Sequence, residues 1–200
     1  MHTKERNNLK KYQNNIIERT IEEAANRFSK TLNQFYPAFG DNAFNERNLT
    51  FQFSNVFSSR RNSCAIMEIP FYDNKNKKHN RHVDAYLFDS QIGIFLESKR
   101  LVNLPKAKEV SYDLFKMSRD NLSYIVKELH EKNLPKNYFA LVLCESWSES
   151  INEWWEDGKC IGSDWDDLEF PYKMCYGKKH IKKWGDCSVT WLYGYRQIKL

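Results

Sequence analysis

The chain has 200 residues, 31 Lys plus Arg against 26 Asp plus Glu, five Cys, and a hydrophobic fraction of 41%. That is enough for one globular domain that buries roughly two-thirds of its unfolded surface, while the short apolar runs and the polar start (Met1 to Lys11) argue against a membrane span or secretory leader. The aromatic content of 15% with only seven Gly and five Pro excludes collagen, disorder and low complexity.

Residues 11 to 35 carry Ile16, Ile17, Ile21, Ala24, Ala25, Phe28, Leu32 and Phe35 at three- and four-residue spacing, which predicts a long amphipathic helix ended by Pro37 and Gly40. A second helix is expected after an Asp41 or Asn42 cap, with Leu49, Phe53, Val56 and Phe57 along one stripe, stopping near Ser58 to Arg61. The period then changes. Cys64 to Phe71 reads as a strand, Asp73 to Arg81 as a polar turn or loop, and His82 to Phe88 and Ile92 to Leu101 as a hairpin closed at Asp89-Ser90-Gln91. A helix over residues 107 to 132 turns Val110, Leu114, Met117, Leu122, Ile125, Val126 and Leu129 inward. Tyr138 to Cys144 is a continuous apolar run, as expected of a strand buried on both faces. The remainder reads as irregular: a short acidic helix with Trp154 and Trp155, an Asp-rich loop, and a last strand from Val189 to Gln197. No repeat and no linker divides the chain, so the expectation is one α/β domain with a mixed sheet flanked by helices.

The net charge of +5 is unevenly spread, with 22 basic against 16 acidic residues before position 134 and 9 against 10 after it. The densest basic cluster is Lys75, Lys77, Lys78 and Arg81 with His79 and His82 interleaved, and Lys178, Lys179, Lys182 and Lys183 form a smaller one. Either suits a solvated loop or contact with nucleic-acid phosphates. The five Cys are odd in number and include no CxxC, which fits free thiols of a reducing cytoplasm and gives Cys160, Cys175, His180 and Cys187 no zinc-site spacing.

Two strands of the hairpin each hold an acid where a buried strand should have none: Asp84 in HVDAYLF and Glu97 in FLESK. A two-residue loop at Ser90 and Gln91 makes paired residue numbers sum to 181 and sets Asp84 opposite Glu97, while alternation turns Glu97 and Lys99 to one face. Two close carboxylates repel unless a cation neutralises them, and oxygen ligands suit Mg²⁺ or Mn²⁺. Lys99 beside them is placed to orient a water or stabilise developing negative charge. The plain alternative is a structural Glu97–Lys99 ion pair with Asp84 at the sheet margin.

Asp84 followed by Glu97-Ser98-Lys99, on the second and third strands of a helix, three-strand, helix, strand order, resembles the PD-(D/E)XK superfamily of restriction-endonuclease-like nucleases over about residues 43 to 145, with Val83 in place of the name-giving Pro. The resemblance implies a restriction-endonuclease-like core and Mg²⁺-dependent (or Mn²⁺-dependent) hydrolysis of DNA phosphodiester bonds. It further implies Asp84, Glu97 and the Ser98 carbonyl as metal ligands, Glu46 on the first core helix as an added carboxylate with Glu22 as the fallback, and a homodimer to cut both strands. The Lys75, Lys77, Lys78, Arg81 and His82 segment would then contact DNA. Roles in restriction, repair or mobile-element defence all remain open, as does a catalytically silent nucleic-acid-binding or structural relative. Tyr112, Asp113 and Lys116 could face the site, with surface positions of an amphipathic helix as the default, and the six Trp are read mainly as core.

Overall fold

Apolar periodicity carries through directly into layers. In a computed structural model that describes residues 2–35, 46–73, 78–103, 134–157, 175–184 and 187–200, with separate positions between 106 and 127, six strands form one mixed sheet. Helix α1 (His2–Phe35) and α2 (Glu46–Ser58) precede β1 (Cys64–Asp73), β2 (Lys78–Phe88) and β3 (Ile92–Leu101); β4 (Asn137–Ser146), α3 (Glu149–Asp157), β5 (Cys175–Trp184) and β6 (Cys187–Ile198) follow. Positions 106, 109, 110, 113, 122, 123 and 125–127 are helical, on the predicted helix between β3 and β4.

The strand order is β1-β2-β3-β4-β6-β5, with β3 and β4 parallel and every other neighbouring pair antiparallel. Helices α1 and α2 cover one face, burying Ile17, Ile21, Phe28, Leu49, Phe53 and Phe57 against Leu87, Ile94, Leu96, Leu141 and Trp191. Val110, Met117, Leu122, Ile125 and Val126 cover the other together with Ile151, Trp154 and Trp155 of α3. Strands β3 and β4 are therefore buried on both faces, which is why their sequences are almost unbroken apolar runs. The same burial accounts for Trp154, Trp155 and Trp191 as core residues.

Two expectations are corrected. The segment Asp73 to Arg81 is not wholly a loop: Lys78 to Arg81 belong to β2, with Asp73↔Lys78 and Phe71↔Arg81 in register with β1, so backbone pairing overrides the polar composition. The expected acidic helix and last strand are α3 and β6, and the expected Asp-rich loop lies outside the described residues; the correction is β5, which was not expected and pairs with β6 in a hairpin that extends the sheet beyond β4. Strand β5 (CYGKKHIKKW) lies at the sheet edge, where lysines are tolerated and discourage pairing with other chains. The expected Ser90–Gln91 loop is present: Asp89 N–H bonds Ile92 C=O at 2.9 Å, Phe88 pairs with Gly93, and the Asp89 carboxylate accepts the Gln91 and Ile92 amides. No helix among the described residues is long and apolar enough to cross a membrane.

Candidate active site

The site forms where β2 and β3 part. Their ladder runs from Phe88↔Gly93 only to Ala85↔Leu96, whereas β3 stays paired with β4 as far as Leu101↔Ser146. The register sum of 181 is the expected one, and it carries Asp84 toward Glu97 just beyond the last pair. There a side chain takes over from the backbone: the Ser98 amide donates to Asp84 Oδ2 at 2.7 Å.

Alternation along β3 then distributes its residues between the two layers. Ser98 faces α2, where its Oγ accepts a buried hydrogen bond from Thr50 at 2.9 Å. Glu46, one turn earlier on α2, accepts the Arg100 amide at 3.4 Å. Thr50 thus anchors the first turn of α2 to β3, which sets Glu46 beside the strand. Glu97 and Lys99 face the other layer; Glu97 is buried, and Lys99 Nζ lies 3.2 Å from Asp113 and 3.8 Å from Glu109.

The electrostatics follow from this crowding. Burial raises the Asp84 pKa, and Glu46 and Glu68 add to the rise, against the Ser98 amide and Lys99 that oppose it. Burial acts to lower the Lys99 pKa, but Asp113 outweighs it with help from Glu46 and Glu97, so the net shift is upward and Lys99 is held as an ammonium. A lysine so held donates hydrogen bonds and stabilises anions; it does not serve as a base near neutral pH.

Among the described residues no three His, Cys, Asp or Glu side chains are gathered into a set that would hold a metal ion. The donor chemistry nevertheless fits a hard divalent cation. Asp84 and Glu97 offer carboxylate oxygens from adjoining strands, Ser98 follows Glu97 and bonds Asp84 through its amide, and the shift of Asp84 marks a place where added positive charge is favourable.

Of the residues expected at the site, Asp84, Glu97, Ser98, Lys99 and Glu46 are brought to one end of β3. Glu22 is not among them: it pairs with Lys179 of β5 at 2.8 Å, so the fallback for Glu46 is set aside. His82 is exposed opposite Pro70 of β1. Lys75 and Lys77 lie outside the described residues; Lys78 and Arg81 are placed in β2 by their backbone.

Three acids were undervalued by sequence reasoning. Asp113, taken as a surface position, is 2% exposed and bound to Lys99. Glu68 sits in the apolar run CAIMEIPF, which was the available signal; it falls between the Met67↔Ala85 and Ile69↔Val83 pairs, acts on the charge of Asp84, and has φ 53, a conformation uncommon outside glycine. Across it the alternation of β2 breaks, so that Val83 packs with Tyr86 in one core while Ala85 and Leu87 pack in the other. Glu145 ends the apolar strand β4 fully buried, accepting Trp147 Nε1–H at 2.7 Å beside Arg100 at 3.6 Å.

No protein-family model matches the chain, and neither the curated proteins nor the solved structures contain a match to it.

Proposed function

We propose that this protein is a metal-dependent nuclease of the PD-(D/E)XK kind, hydrolysing DNA phosphodiester bonds in restriction, repair or mobile-element defence. The observation that carries the reading is the meeting of Asp84 and Glu46 on the β3 backbone at Ser98 and Arg100, with Lys99 between these two positions and Glu97 just before them. Asp84, Glu97 and the Ser98 carbonyl would hold Mg²⁺ or Mn²⁺, with Glu46 adjoining. Such a metal, when bound, acidifies a water and offsets charge on the phosphoryl oxygens. Asp84 is kept in place by the Ser98 amide, and the Lys99 ammonium is placed to hold a water or a phosphoryl oxygen by hydrogen bonding. The basic stretch Lys75, Lys77, Lys78 and Arg81 with His82 would contact DNA backbone phosphates, and a homodimer would present two sites to a duplex.

One observation favours a second reading, a catalytically silent DNA-binding or structural relative: Lys99 is already bound to Asp113, as a purely structural ion pair would be. The test is incubation of the purified protein with plasmid and oligonucleotide DNA in Mg²⁺ or Mn²⁺, with chelator controls. Cleavage is expected, and expected to be lost in Asp84→Ala and Lys99→Ala. A parent that cuts no DNA, or variants that cut as it does, would overturn the enzymatic reading.

A further inference from the structure

At the opposite end of α2 and of the β2–β3 hairpin the structure has a cavity of about 400 Å³ between α1, the end of α2 and the hairpin turn. It lies five residues along β2 from Asp84, about 17 Å at ordinary strand rise, so it is no part of the carboxylate site. Its volume is within the range of small-ligand sites.

The walls carry Arg19 from α1 and Arg60 and Arg61 from the segment after α2, against two acids, Glu23 and Asp89. Both acids are already engaged within the protein. Glu23 is bound to Arg27 at 2.6 Å. Asp89 spends Oδ1 on the amides of Gln91 and Ile92 at 2.7 and 2.9 Å, and its Oδ2 lies 3.7 Å from Arg60. The Arg60 guanidinium is set in orientation by lying 3.9 Å over the Phe57 ring. Arg19 and Arg61 make no ion pair among the described residues, so the cavity holds a surplus of guanidinium charge.

Planar guanidinium forks match the oxygens of a tetrahedral dianion. We infer that this cavity is a binding site for a phosphomonoester, held by Arg19, Arg60 and Arg61. The dianion has two sources, a free nucleotide or the phosphorylated end of a nucleic-acid strand, and the recognition chemistry is the same for both. The inference does not depend on the nuclease reading, because none of these residues belongs to the carboxylate site.

The test is titration of the full-length protein with inorganic phosphate and with thymidine 5′-monophosphate at constant ionic strength, followed by thermal unfolding and calorimetry. Saturable binding with a rising unfolding midpoint is expected, absent for matched chloride. Arg19→Gln/Arg61→Gln should weaken it by roughly tenfold or more, since each removes a charge-assisted contact. Both side chains are exposed, so this variant should keep the parent's unfolding midpoint without ligand; should it fail to fold, each single substitution gives the same reading with a smaller loss. Oligonucleotides with 5′-phosphate and with 5′-hydroxyl separate the sources: a preference for the phosphorylated strand, lost in the variant, assigns the strand end, and equal weak binding of both assigns the free nucleotide. Absence of saturable binding overturns the inference, as does binding indifferent to the substitutions. So does 5′-hydroxyl DNA binding that depends on both arginines and is not displaced by the nucleotide, which would make the arginines backbone contacts.

Discussion

The Ser98 amide donates its hydrogen bond to the Asp84 carboxylate at 2.7 Å, just past the Ala85↔Leu96 pair at which the β2–β3 ladder ends. The carboxylate therefore satisfies a buried backbone donor and occupies the proposed metal site at once, and two substitutions separate these roles. Asp84→Asn keeps an acceptor oxygen, whereas Asp84→Ala leaves the amide unmet and should lower stability by about 1–3 kcal/mol. The raised pKa of Asp84 means that the folded state holds its proton more tightly than the unfolded one, so stability is fullest below the ordinary carboxylate value and declines as pH rises toward the raised one. Asp84→Asn removes that decline. Both variants should lose cleavage. Urea unfolding across that pH range checks the pair, and equal destabilisation by Asn and Ala would show that the hydrogen bond is not what matters.

Lys99 and Asp113 form a mostly buried ion pair, with side chains 19% and 3% exposed. Lys99→Met strands the Asp113 carboxylate without its cation, for which about 3–5 kcal/mol of destabilisation is expected. Adding Asp113→Asn removes the stranded charge and should recover much of the loss. Cleavage should not return with stability, because the ammonium proposed to contact the phosphoryl group is still missing. A double variant that regains both would remove Lys99 from the chemistry. The measurements are unfolding midpoints and cleavage rates for the four proteins of the cycle.

What could be read in the sequence depended on how strongly each residue type is tied to one environment. The hairpin was legible because Ser90 and Gln91 leave room for only a tight loop between two apolar runs, and that loop alone fixes which residues face each other. Strand β5 was not, since its lysines satisfy an edge position as well as a loop. Among the acids, Asp84 stood out between Val83 and Ala85, and Glu97 stood out directly after the apolar stretch that ends at Leu96. Glu145 closes its apolar run and so looks like an exposed strand end, and Asp113 lies on an amphipathic helix where an acid is ordinarily solvated. Nothing in the composition of β1 signals the positive φ of Glu68, which only long-range packing decides.

The parallel contact of β3 with β4 can be tested at Gly93, which pairs with Tyr138. A Cβ there would lie 2.8 Å from Tyr138 Cδ1 and 3.0 Å from the Tyr86 hydroxyl, closer than packed atoms tolerate. Gly93→Ala should therefore destabilise by about 1–3 kcal/mol, as overpacking in a core does. Tyr138→Leu removes the clashing ring, so the two substitutions combined should cost less than their sum. Strict additivity in denaturant unfolding would mean that Gly93 and Tyr138 are not neighbours.

Glu145 gives the protein a pH dependence separate from that of Asp84. Its carboxyl is pushed up from 4.5 to about 7 by burial, against the Trp147 Nε1–H and the Arg100 guanidinium that favour the charged form. The folded pKa lies above the unfolded one, so the folded state binds more protons in between. Stability from this group is whole below pH 4.5, declines from there to about pH 7, and is level above it. A shift of this size corresponds to roughly 3 kcal/mol at the ordinary 1.4 kcal/mol per pH unit. Glu145→Gln keeps the shape and an acceptor for Trp147 without a charge to bury, so its stability should be flat where the parent's falls and should exceed the parent's above pH 7. Urea unfolding of both proteins at intervals from pH 4.5 to 8 checks this, with Asp84→Asn as a background that removes the other raised carboxyl. If the parent and Glu145→Gln curves stay parallel, the Arg100 and Trp147 contacts fully offset the burial of Glu145.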